Sequence, residues 1–252
     1  MLIAFLPARG GCGATTIALH TAAALKRIKR TVLLADLDFH NSTVNFWLKL
    51  EPKYSLLDAA ERADQLEPCI WSSLVQTARE VDILCAPSAG TPMVFGGKTC
   101  AVVEYACQHY EFVLVDLPET LHAACWDALE NTKHIMLVVT PEMASLHLAR
   151  RKLDQLQNYG IPRSSIHLVL NRCSQIDIQP AEVAKFFAMP ILAIFGNDYR
   201  TVSTAFKEAK FAPEGSKLGA QYTRFAQFLA GEPEVKEANA GVSKIRRIFS
   251  PA

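Results

Sequence analysis

Short apolar runs alternate with amphipathic stretches along nearly the whole chain. Runs near 2–6, 31–36, 81–85, 111–116, 134–140, 165–170 and 190–195 are rich in Val, Ile and Leu without polar alternation. That pattern predicts strands buried on both faces. Between them, 16–29, 99–109, 122–131, 142–158, 179–188, 198–208 and 216–230 are predicted helices. In 142–158, Leu146, Ala149, Leu153 and Leu156 recur at steps of three and four, which puts one apolar stripe on a helix. Strands and helices in this alternation predict an α/β class: a doubly wound, mostly parallel sheet with helices on both faces. One domain is expected over 1–230. The polar stretch GEPEVKEANAG over 231–241 predicts a solvated linker, so 231–252 is assigned as linker plus a short basic tail.

Composition changes this picture little. The chain has 252 residues, 50% apolar and 20% charged, an ordinary globular balance. A formal net charge of +1 supplies no global attraction to nucleic acid or membrane, so either role needs a local patch. No apolar run approaches the ~20 residues that span a bilayer, and Met1–Leu6 is too short for a signal peptide. The seven cysteines contain no C-x-x-C pair, which argues against zinc and redox dithiols and for reduced thiols. A cytoplasmic protein is expected.

The chemistry gathers after the first strand, in Pro7-Ala-Arg-Gly-Gly-Cys-Gly-Ala-Thr-Thr16. A strand, a Gly-rich turn and a helix start make an anion site, because backbone N–H groups converge there and the helix dipole adds positive potential. After the second strand comes Leu34-Ala-Asp-Leu-Asp-Phe39, and the strand Phe112-Val-Leu-Val-Asp116 ends in a carboxylate before Leu-Pro118. Carboxylates ending buried strands suit a Mg²⁺ site, with Thr15 as the hydroxyl ligand. Val169-Leu-Asn171-Arg172 and Phe195-Gly-Asn-Asp-Tyr199 end two later strands.

The loop departs from the strict G-x-x-x-x-G-K-[ST] pattern. It resembles the deviant loop K-G-G-x-G-K-[ST]-T of the MinD/ParA ATPases, aligned as Arg9, Gly10, Gly11, Cys12, Gly13, Ala14, Thr15 and Thr16. The resemblance implies ATP (or ADP) and Mg²⁺ as cofactors. It implies that Arg9 stands for the extra lysine that reaches across a dimer, and that Ala14 stands where the usual phosphate-binding lysine would be. Asp38 matches the aspartate that helps position the attacking water. Thr15, Asp38 and Asp116 match the metal site, with Arg9 and Asp38 as the catalytic pair. Asn171, Arg172, Phe195 and Asn197 match the base pocket. A charge-assisted contact is worth ~1.5–3 kcal/mol, so losing the lysine weakens binding roughly ten- to a hundred-fold. Turnover is hit harder, and weak ATPase activity at most is expected.

Within this family the loop, together with Thr140-Pro-Glu-Met-Ala-Ser-Leu146, Asn197-Asp-Tyr-Arg200-Thr-Val202 and Ser216-Lys-Leu-Gly219, resembles the CpaE/TadZ branch of pilus-localisation ATPases. That implies an ATP-dependent homodimer acting on Flp/Tad-type pilus or secretion machinery, at the inner face of the membrane or a cell pole. Many members carry a receiver-like domain before the ATPase; here the first strand begins at once. The tail Val242–Phe249 resembles the membrane-targeting helix of MinD: Val242, Ile245 and Phe249 share a face flanked by Lys244, Arg246 and Arg247. Each basic residue contributes ~1 kcal/mol near an anionic leaflet, a weak membrane contact. Two alternatives stand beside the switch: a pseudo-ATPase scaffold that binds no nucleotide, and a ParA-like DNA partition protein. The mild basic excess over 196–252 falls short of a DNA-binding stripe, so nucleic acid is not the expected partner.

Overall fold

The computed structural model describes residues 1–88, 98–174 and 178–232. The linker after 232 and the basic tail Val242–Phe249 lie outside the described residues. Strands β1 (Leu2–Pro7), β2 (Val32–Asp36), β3 (Gln76–Ala78), β4 (Val81–Leu84), β5 (Phe112–Asp116), β6 (His134–Val139), β7 (Ile166–Cys173) and β8 (Ile191–Gly196) form one sheet. Its order is β3-β4-β2-β5-β1-β6-β7-β8. All neighbours pair in parallel except β3 with β4.

The parallel strands carry apolar residues on both faces because each face is roofed by helices. In β1, Ile3 and Phe5 enter one core while Ala4 and Leu6 enter the other, following the two-residue period of a strand. The Ile3 side is covered by α1 (Ala14–Arg27), α2 (Val44–Leu48), α9 (Tyr199–Lys207) and α10 (Lys217–Leu229). The Ala4 side is covered by α3 (Leu56–Glu61), α4 (Pro68–Leu74), α5 (Thr99–His109), α6 (Ala123–Leu129), α7 (Met143–Asn158) and α8 (Pro180–Phe187). The stripe Leu146, Ala149, Leu153 and Leu156 of α7 is buried as its spacing predicts.

The predicted elements fall within a few residues of those observed. Between β2 and β4 the structure adds α2, α3, α4 and the antiparallel β3, none of which the apolar pattern marks. They are three to seven residues long, too short for a helical or strand period to show. Trp47 and Trp71 anchor α2 and α4 in opposite cores. Among the described residues no helix is long and apolar enough to cross a membrane.

Candidate functional site

The chain leaves β1 through α1 towards β2 on one side of the sheet, and leaves β6 through α7 towards β7 on the other. Opposed crossovers from adjacent strands open a crevice at their carboxyl ends, the usual place for a ligand in such sheets. The Arg9–Thr16 loop lies there. Arg9 follows β1 and Glu142 follows β6, and their side chains meet across the crevice at 2.7 Å.

The loop is shaped by two left-handed glycines, Gly11 (φ +76°) and Gly13 (φ +91°). Gly13 caps α1, so the first-turn N–H groups of that helix open towards the loop. A side chain at Gly13 would also collide with Asn171, whose Nδ2 lies 2.4 Å from the position of a Cβ. Asn171 donates from that nitrogen to the Cys12 carbonyl at 2.8 Å, tying β7 to the loop. Cys12 is fully buried, and burial raises its thiol pKa, so it packs as a small apolar group. Ala14, the first residue of α1, is packed into the core.

Two acidic strand ends lie beside the loop. Asp36 and Asp116 are register partners on β2 and β5, and both are buried. Burial pushes Asp36 up to about 7, against the hydrogen bonds it accepts from the Ser42 hydroxyl (2.5 Å) and the Asp38 N–H (2.9 Å). Burial and then the Asp36 charge raise Asp116 well above the carboxylate range, while a hydrogen bond with the Thr15 side chain opposes them. One Asp116 oxygen, Oδ1, is buried without a hydrogen-bond partner. Asp38 accepts from the Asn41 N–H at 2.9 Å. Asp36, Asp38, Asp116 and Thr15 are thus brought into one neighbourhood. Among the described residues no three His, Cys, Asp or Glu side chains converge as a complete metal cage.

Of the residues expected around a base, Phe195 is packed inward. Its ring is 1% exposed and stacks on Tyr222, with centroids 4.7 Å apart, so it belongs to the core under α10. Alternation along β8 turns this residue inward. Asn171 faces the loop, Arg172 is exposed in a left-handed conformation (φ 56°), and exposed Asn197 donates its N–H to the Cys173 carbonyl.

Two further residues reach the loop and a third braces one of them; sequence reasoning did not single out any of the three as site residues. Glu119 Oε2 accepts the Gly10 N–H at 2.7 Å. Lys152 Nζ, on α7, donates to the Glu119 carbonyl at 2.7 Å. Glu142 holds Arg9. Glu119 lies three residues past Asp116, and that proximity was its sequence signal. Lys152 had none, being one polar position on an amphipathic helix. Carboxylates outnumber cations here, so an anionic ligand needs a divalent cation or displacement of an acidic side chain.

No protein-family profile matches the chain. The septum site-determining protein MinD of Synechocystis sp. is 25% identical over 244 residues, covering 92% of this chain and 90% of that protein. A ParA family ATPase from Chlorobium tepidum superposes with a TM-score of 0.83 at 22% identity, covering 89% of this chain and 98% of that one. The fold is that of the MinD/ParA P-loop ATPases. MinD from Pyrococcus horikoshii, solved with Mg-ADP, superposes with a TM-score of 0.76 at 22% identity, covering 90% and 95% of the two chains. The similarity to MinD and ParA proteins therefore runs through the whole sheet and is not confined to the glycine loop.

Proposed function

We propose that this protein binds Mg·ATP or Mg·ADP in the Arg9–Thr16 loop and acts as a dimerising localisation or assembly switch, with slow or absent hydrolysis. The observation that carries the reading is the meeting of the Gly11/Gly13 loop with the buried Asp36 and Asp116 carboxylates at the carboxyl ends of β1, β5 and β2. The residues fit the metal: the unpartnered Asp116 Oδ1 and the adjacent Thr15 hydroxyl offer oxygen donors. Mg²⁺ commonly takes few protein ligands and completes its shell with phosphate and water. It would neutralise phosphate charge amid these carboxylates. Asp38 orients water, and Asn197 lies at the base end.

Arg9 becomes available to phosphate only after leaving Glu142. An arginine offers a forked, permanently charged donor set suited to phosphate oxygens. In the dimer it reaches the neighbouring subunit's phosphates, while the loop's own N–H groups hold the resident ones. A Flp/Tad-type pilus or secretion system is the machinery addressed; the four stretches that resemble the CpaE/TadZ branch support that destination. The site at the inner membrane face or a pole follows from the same resemblance.

Titration with Mg·ATP by calorimetry tests the reading, with micromolar affinity expected. Mg·ATP should also convert monomer to dimer in light scattering, and Arg9→Ala should abolish that conversion. A dimer that forms unchanged in the Arg9→Ala protein would contradict the proposed role of this side chain. One observation favours a second reading, a scaffold that binds no nucleotide: Ala14 is 4% exposed and offers no charge to a phosphate. No heat and no thermal stabilisation at millimolar Mg·ATP would favour that scaffold.

A further inference from the structure

We infer that Glu119 sets the affinity of the phosphate loop: its carboxylate occupies the Gly10 N–H, and a phosphate-bearing ligand gains that donor only by displacing it. The inference rests on the nucleotide-binding reading above for its ligand, but the contact itself stands on geometry. The Gly10 N–H to Glu119 Oε2 distance is 2.7 Å, that of a charge-assisted hydrogen bond. Glu119 is exposed, so its carboxylate has water available and still takes the loop amide. Gly10 permits the approach, because a Cβ there would lie 2.8 Å from the same oxygen.

The acid is also aimed from behind. Lys152 Nζ grips the Glu119 carbonyl at 2.7 Å, and Pro118 restricts the chain just before it. Glu119 follows β5 by three residues, so its backbone is set by the strand that presents Asp116. Lys152 is therefore a positioning residue for an internal anion. Carboxylate and phosphate oxygens are both anionic acceptors and cannot share one N–H in the same geometry. A bound phosphate would in addition face the Glu119 charge at close range, beside Asp36 and Asp116. An ion pair at the loop, Arg9 with Glu142, ties up its cation as well. The exposed backbone donor and the cation of the loop are thus both held by acids of this chain.

Removing the acid should tighten binding by about ten- to a hundred-fold, the usual worth of one charge-assisted hydrogen bond. The test compares wild type, Glu119→Ala and Glu119→Gln, each titrated with Mg·ATP and with Mg·pyrophosphate, and recorded by amide NMR without ligand. The Gly10 amide proton is expected far downfield in wild type and upfield in Glu119→Ala. Glu119→Gln keeps an acceptor but sheds the charge, so its affinity should fall between the other two. An unmoved Gly10 resonance would overturn the contact whatever the ligand results. Equal affinities in all three proteins would overturn the role of Glu119 while leaving nucleotide binding intact. Absence of binding in all three, with the Gly10 resonance shifted, would instead remove the nucleotide reading and the competition with it.

Discussion

The Arg9–Thr16 loop is positioned within one short piece of chain: β1 delivers it, two left-handed glycines turn it, and α1 begins at once. Asn171, Phe195 and Asn197, expected around a base, come from β7 and the end of β8, and their side chains go to three places: the loop, the core and solvent. The loop is built by backbone conformation, which glycine spacing declares. The placing of the other three rests on side-chain direction, which depends on strand register and on what packs behind. A motif is therefore legible where backbone conformation defines the feature and less so where one rotamer decides.

The sharpest way to break this contrast is at the two glycines. Gly13→Ala combines a left-handed backbone with a collision against Asn171, and should destabilise the protein by about 2–5 kcal/mol and abolish ligand-induced stabilisation. Gly11→Ala has the same backbone strain but open space around it, so about 1–2 kcal/mol is expected. Thermal melting of both variants checks the order, and equal losses would show that the Asn171 tether is unimportant.

The next effect is a pH dependence from the acidic strand ends. Unfolded Asp36 would release its proton near 3.8, whereas the folded group holds it to about 7. The native state then binds more protons in that window, so this contribution to stability is full below it and falls as pH rises through it. Asp116 acts in the same direction. His20 acts oppositely: burial lowers it to about 4, so acid costs stability as pH falls below 6.5. The difference between wild type and Asp36→Asn isolates the first term. Denaturation without divalent cations should find the variant relatively more stable at pH 7.5 than at pH 5, and Mg²⁺ with nucleotide should shrink that gap.

A smaller loss is expected from Asn171→Ala, which leaves the Cys12 carbonyl without its side-chain donor, about 1–3 kcal/mol by denaturant unfolding. The smallest belongs to Asn197→Ala. Its tether is a backbone N–H that alanine keeps, so stability should change by under about 0.5 kcal/mol. A shift in preference between ATP and GTP in this variant would assign Asn197 to the base, and unchanged preference would remove it from the site.

The sequence by itself determined the alternation of strands and helices, the glycine loop and the two acidic strand ends. Each rests on a short-range rule: a period of two or three to four residues, a left-handed turn, a carboxylate closing an apolar run. It also carried Asp38 and Asp116 as separate marks, while the buried Asp36, not singled out as a site residue, came beside Asp116 only through β2 pairing with β5. The small elements between β2 and β4 escaped because three to seven residues hold no readable period. Tertiary structure alone decided that Phe195 faces Tyr222, that Asn171 reaches Cys12 from 159 positions away, and that Glu119 reaches Gly10 across 109. Those contacts depend on strand order and crossover hand, which bring distant residues to one crevice, and no local pattern in the chain encodes which of them will meet.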